Sequence, residues 1–150
     1  MVNIRILAAD ELSVLSNVAE DVFDFPVSSK LSREFLTDPR HHLAVAVTQE
    51  GCVVGMASGV HYVHPDKPPQ MFINEVGVSQ DYEGQGIGSR LMALLLQRAA
   101  ELGCTEAWTA TEPENHRAQA LYERAGGKKD ATPFVMYTFV IRGSSERSDA

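Results

Sequence analysis

The residue pattern predicts an α+β domain in which a mixed, mostly antiparallel sheet carries helices on both faces. Three observations support that expectation. The β-type runs 42–47 and 53–60 flank the turn Gln49-Glu50-Gly51 and read as an antiparallel hairpin. The run 72–78 passes through a glycine-rich loop into an amphipathic helix and then into another β-type run, 106–111, the pattern of a βαβ unit. With 150 residues, 44% hydrophobic and 22% charged, the chain suits one compact domain with a real core, and disordered, collagenous and disulfide-scaffold classes are excluded.

Taken in order, Ile4 to Leu7 make a short β-type start, and Asp10 is placed to cap a helix with Leu12, Leu15, Ala19 and Val22 on one face, ending near Phe25-Pro26. Ser28 to Leu36 reads as a second short helix with Leu31 and Phe35 four apart, stopped by Asp38-Pro39. The hairpin 42–60 follows, then a loop, Tyr62 to Gln70, holding Pro65, Pro68 and Pro69. After the strand 72–78, the residues Ile87, Leu91, Leu94, Leu95, Ala99 and Leu102 fall at helical spacing until Gly103 ends the pattern. Glu106 to Thr111 reads as a second buried strand, and Asn115 to Ala125 as a helix with Ala118, Leu121, Tyr122 and Ala125 in register. Val135 to Ile141 is expected to close the sheet as a last strand, giving one domain over 1–142 and a disordered polar tail over 143–150.

A formal charge of −7, from 20 acidic and 13 basic residues, repels phosphate backbones and argues against a nucleic-acid partner. Cationic small molecules fit that field better. Cys52 and Cys104 read as small reduced core residues, and no apolar run approaches the roughly 18 residues of a membrane span. The start Met-Val-Asn-Ile-Arg lacks a signal peptide's apolar segment, so the expected address is cytoplasmic, with no membrane partner. His41, His42, His61, His64 and His116 include no trio with metal-ligand spacing, so no metal is expected. His61 and His64 read as surface loop residues, with a substrate-facing position as the alternative. Trp108 reads as core, with stacking on the substrate as the alternative.

Gly84, Gly86 and Gly88 alternate just before a helix, where free amides and the helix dipole favour an anion such as a pyrophosphate. Their spacing matches neither the dinucleotide fingerprint nor the Walker loop, and a plain glycine-rich turn fits it as well. Two longer segments decide between these. Ile73-Asn74-Glu75-Val76-Gly77-Val78-Ser79-Gln80-Asp81-Tyr82-Glu83-Gly84-Gln85-Gly86-Ile87-Gly88-Ser89-Arg90-Leu91 and Glu114-Asn115-His116-Arg117-Ala118-Gln119-Ala120-Leu121-Tyr122-Glu123-Arg124-Ala125-Gly126-Gly127 strongly resemble the GNAT superfamily of N-acetyltransferases. The order of elements extends the resemblance over roughly residues 3 to 141.

The resemblance implies a sheet splayed between the strands 72–78 and 106–111, with acetyl-CoA held in the gap. It assigns the pantetheine arm to backbone groups of Val76, Gly77 and Val78, with Asn115 and Ala118 alongside. The pyrophosphate falls to the loop residues Glu83, Gly84, Gln85, Gly86, Ile87, Gly88 and Ser89. Glu83 stands where the family usually has arginine or glutamine, and its side chain is expected to point to solvent. Amine acetylation needs a base for the amine proton, a donor for the oxyanion and an acid for the thiolate. By resemblance these roles fall to Glu75, the Val76 N–H and Tyr122. Other roles fit the same residues: Glu75 in a salt bridge or as a substrate-binding anion, Tyr122 as core, Asn115 as a helix cap.

Residues 61–78 with Phe134-Val135-Met136-Tyr137 look most like the small aminoglycoside 3-N-acetyltransferases, with Glu75 where those commonly have aspartate. The expected acceptor is therefore a small polycation, an aminoglycoside-type amine, attracted by Asp21, Asp24, Glu75, Glu112 and Glu114 around one opening. A polyamine, amino acid or peptide amine is the alternative acceptor, and a non-catalytic acyl-CoA-binding module is the alternative function. A homodimer is an expectation from resemblance alone.

Overall fold

A computed structural model describes residues 1–142; the tail predicted for 143–150 lies outside them. Among the described residues, five strands form one sheet in sequence order: β1 (Asn3–Ile6), β2 (His41–Val47), β3 (Val53–Tyr62), β4 (Gln70–Val78) and β5 (Glu106–Trp108). All neighbours are antiparallel except β4 and β5, whose parallel pairing follows from the long helix that joins them.

That helix, α2 (Ile87–Glu101), forms because Ile87, Leu91, Leu95 and Ala99 share one stripe, and all four are buried. Gly103 ends it with φ 81°, a left-handed turn that closes the last carbonyls, including a Cys104 N–H to Ala99 oxygen bond of 3.0 Å. The stripe lies on fully buried Ala44, Ala46 and Ala57, whose short side chains let helix and sheet approach closely. The opposite face of the sheet carries Val45, Val53 and Met56 against Leu15, Val22 and Leu36. Leu36 belongs to α1 (Ser29–Thr37), capped by Ser28 Oγ accepting from the Leu31 N–H at 3.3 Å. Helices thus cover both faces, as predicted.

Three expectations from the sequence are corrected. The first helix is only a short 3₁₀ turn, Leu12–Ser16, because the next residues spend their backbone on the sheet. The Val53 N–H donates to the Asn17 oxygen and the Ala19 N–H to the Val53 oxygen, both at 2.9 Å, which draws 17–19 out of a helix. The strand at 106–111 has only three paired residues and lies at the sheet's rim, so Trp108 is 46% exposed rather than buried. The last strand, 135–141, does not form: its residues are irregular and exposed, since β propensity without a neighbouring strand makes no ladder.

Gly77 is fixed by a close approach. A Cβ there would meet the Val22 carbonyl oxygen at 2.3 Å, so the segment before α1 packs directly on the bare strand. Gly77→Ala is expected to destabilise the fold by roughly 1–3 kcal/mol. A lowered denaturant midpoint with unchanged slope checks it.

Candidate active site

Glu75 reaches its place through a bulge. Met71 and Ile73 face α2, and strict alternation would send Glu75 to that same face. The β3–β4 register instead jumps from Ser58 opposite Glu75 to Gly59 opposite Ile73, leaving Asn74 without a partner. That extra residue turns Glu75 to the other side of the sheet, where Val76 and Val78 alternate back toward α2. There Glu75 lines a cavity of about 430 Å³ together with Asp24, Ser58 and Asn74. Phe23, Phe25, Leu31 and Phe35 give it apolar walls. Burial, and then the neighbouring charge of Asp24, raises the Glu75 carboxyl above the usual glutamate range.

Of the acids expected around the opening, only Asp24 joins Glu75 here. Asp21 is held by the turn after β4, accepting the Gln80 N–H at 2.8 Å, and this bond and one from Ser79 lower its carboxyl below the usual range. Glu112 and Glu114 are exposed on the turn before α3 (His116–Arg124) and do not line the cavity. His61 faces His42, ring nitrogens 2.8 Å apart, and burial chiefly brings His42 down to about 4. Trp108 tilts onto Phe72 at 4.4 Å between ring centroids, and its indole N–H donates to the Tyr62 hydroxyl.

The sheet opens beside this cavity. Parallel pairing stops at Phe72 and Trp108, and the Thr109 hydroxyl donates to the Ile73 oxygen at 2.9 Å. Among the described residues, β4 then runs on to Val78 with β3 as its only strand partner, leaving an edge that an extended chain-like ligand fits. Past that edge, Gly84 and Gly86 take φ values of 75° and 76°, conformations that other residues adopt only at a cost. Gly86 is the N-cap of α2 and provides no side-chain cap, so the first amides of the helix are left for an anion. An extended arm ending in a diphosphate suits both features.

α3 closes the far side of the loop. Its Leu121 packs beside Gly88, 3.4 Å from where a Cβ would stand. Asn115 caps α3, its Oδ1 accepting the Ala118 N–H at 3.0 Å, which leaves the side-chain amide nitrogen as a donor. Tyr122 is half-buried against the α2 core and does not line the cavity. The expectation that Glu83 points freely to solvent is corrected: it pairs with Arg117 of α3 at 2.8 Å, which offsets its repulsion of an anion on the loop.

Sequence reasoning missed the cavity's apolar wall. Leu31 and Phe35 carried the signal as a pair four apart on a short helix, while Phe23 and Phe25 lay on a segment expected to be helical.

The model of the Acetyltransferase (GNAT) family matches residues 12–127. An uncharacterized N-acetyltransferase of Mycobacterium bovis is 30% identical over 109 residues, covering 73% of this chain and 67% of that protein. An L-2,4-diaminobutyric acid acetyltransferase of Virgibacillus pantothenticus is 36% identical over 89 residues, 58% of this chain and 54% of that protein. Among solved structures, the aminoglycoside N-acetyltransferase AAC(6')-Iy in complex with CoA superposes with a TM-score of 0.73 at 19% identity, covering 95% and 96% of the two chains.

Proposed function

The chain belongs to the GNAT acetyltransferase family, whose members use acetyl-CoA, and we propose that it acetylates a primary amine of a small acceptor carrying two or more ammonium groups. The single observation behind this reading is the bulge at Asn74, which turns Glu75 into the cavity beside Asp24 where the sheet opens. When bound, acetyl-CoA supplies an activated thioester acyl group.

The chain's own residues supply the rest. The opened edge at Val76, Gly77 and Val78, with the Asn115 and Ala118 end of α3, holds the extended arm. The amides from Glu83 to Ser89 hold the diphosphate. Glu75 takes the proton from the acceptor amine, and its raised carboxyl is better matched to that task than an ordinary glutamate. The Val76 N–H donates to the developing negative oxygen, and Tyr122 donates a proton toward the departing sulfur. Asp24 holds a second ammonium group of the acceptor.

An aminoglycoside-type amine meets this description, supported by the charge of −7 and by the fold shared with an aminoglycoside acetyltransferase. A diamine on a short alkyl stem is the second reading, favoured by the walls of Phe23, Leu31 and Phe35 and by the diaminobutyric acid acetyltransferase relative.

Thiol release from acetyl-CoA with a panel of aminoglycosides, spermidine, diaminobutyrate, single amino acids and a lysine peptide tests the reading. Turnover confined to neutral or singly charged amines overturns it. Asp24→Asn is expected to raise KM for a multiply charged amine roughly fivefold, ~1 kcal/mol, while KM for acetyl-CoA stays put. Removing the Asp24 charge also lets the Glu75 carboxyl fall, so the acidic limb of the rate profile moves to lower pH.

A further inference from the structure

The sheet sets one polar residue directly beside Glu75. Ser58 of β3 is the cross-strand partner of Glu75, and on its other side it is paired with Leu43 of β2. Directly opposed residues share a face with Cβ atoms about 4.5–5.5 Å apart, so Leu43, Ser58 and Glu75 form one row, and all three line the cavity. Met56, two residues earlier on β3, packs in the same apolar layer as Leu43.

A strand position in such a row ordinarily carries an apolar side chain. Ser58 is only 8% exposed, yet its hydroxyl has no hydrogen-bond partner among the described residues. A hydroxyl buried without a partner costs free energy, which a ligand that bonds to it can recover. The cavity's other neutral polar residues are placed differently. Ser28 is spent on the cap of α1, Asn74 is exposed at the bulge, and Ser32 belongs to α1 rather than to the strands around Glu75.

An amine attacks with its lone pair aimed at the acyl carbon and its three substituents in the other tetrahedral directions. In a primary amine these are the carbon stem and two N–H bonds; a secondary amine has only one N–H. From the pairing of Ser58 with Glu75 in one cavity wall, we infer that Ser58 selects primary amines: its Oγ accepts one N–H while Glu75 takes the proton of the other. This rests on the proposed role of Glu75 as the base. As nitrogen bonds to the acyl carbon, the carbon–sulfur bond breaks and its electron pair leaves with sulfur, which Tyr122 protonates. One amine proton passes to Glu75, and the N–H held by Ser58 stays on nitrogen as the N–H of the product amide. A secondary amine brings a carbon to the place where Ser58 needs an N–H, so the hydroxyl is left unmatched and crowded.

The test is kcat/KM of the full-length enzyme and of Ser58→Ala at saturating acetyl-CoA. Each is run with the amine of the panel that the unmodified enzyme acetylates fastest, and with the same compound methylated at the nitrogen that receives the acetyl group. The unmodified enzyme should prefer the primary amine at least about tenfold. In Ser58→Ala, kcat/KM for the primary amine should fall roughly three- to tenfold, as for one neutral hydrogen bond, and the preference should narrow at least about threefold. The melting temperature should hold or rise, since an unpartnered buried hydroxyl is gone, and KM for acetyl-CoA should not move. A merely structural role would lower both rates alike and leave the preference unchanged, and that result overturns the inference. So does an unmodified enzyme that acetylates both amines equally well, a result that needs no variant to fold. Either result leaves Glu75 as the base. An unmodified enzyme that acetylates no amine removes the reading of Glu75 and this inference together.

Discussion

Glu75→Gln is expected to lower turnover by roughly 10²–10⁴, about 3–5 kcal/mol of barrier, with little change in acetyl-CoA affinity. The base works as a carboxylate, so the rate of the unmodified enzyme should climb as pH rises through the Glu75 pKa. Burial and Asp24 raise that pKa, so the climb starts above the ordinary glutamate range. In Glu75→Gln the limb disappears.

Stability should move the other way. A carboxyl raised by folding is easier to keep protonated in the native state than in the unfolded chain, so its ionisation erodes stability as pH rises through the folded pKa. Glutamine cannot ionise, so the variant should melt at the same temperature or higher at neutral pH. A structural role for Glu75 would instead lower the melting temperature. Normal turnover at saturating amine would remove Glu75 from the chemistry. Tyr122→Phe is expected to do less, because a thiolate leaves readily without a proton.

Gly86→Val is expected to weaken acetyl-CoA binding at least about tenfold, ~1.4 kcal/mol. Gly86 has open space around it, so no steric collision enters. The cost comes from φ 76°, which a β-branched residue resists, and from a side chain standing before the amides that receive the diphosphate. Calorimetry showing unchanged affinity would take the loop out of the cofactor site.

The part of the fold most legible in the sequence was the stretch from β4 through α2. There each local signal agrees with the global one: the β-type run, the glycines, and Ile87, Leu91 and Leu95 one helical turn apart. The first helix was misread because its amphipathic spacing is real, yet Val53 claims the backbone of Asn17 and Ala19. Only the assembled sheet reveals that competition. Glu75 was legible as a candidate but its direction was not, since period-two alternation assumes an unbroken strand and the bulge at Asn74 breaks it. The partner of Glu83 was hidden for another reason: Arg117 comes to it only when α3 docks beside the loop. Asp21 and Asp24 looked alike on the page of the sequence. Main-chain donors separated them, one fixed to Gln80 and the other left facing the cavity.

Recognition of a polycation by the cavity of Glu75 and Asp24 is read from kcat/KM for a polycationic amine, followed as a function of ionic strength at saturating acetyl-CoA, for the unmodified enzyme and Asp24→Asn. The expected result is acetylated amine as product, a kcat/KM that falls steeply with added salt, and a shallower fall once the Asp24 carboxylate is gone. No acetylated product from any multiply charged amine, or a kcat/KM indifferent to both salt and Asp24, would contradict it.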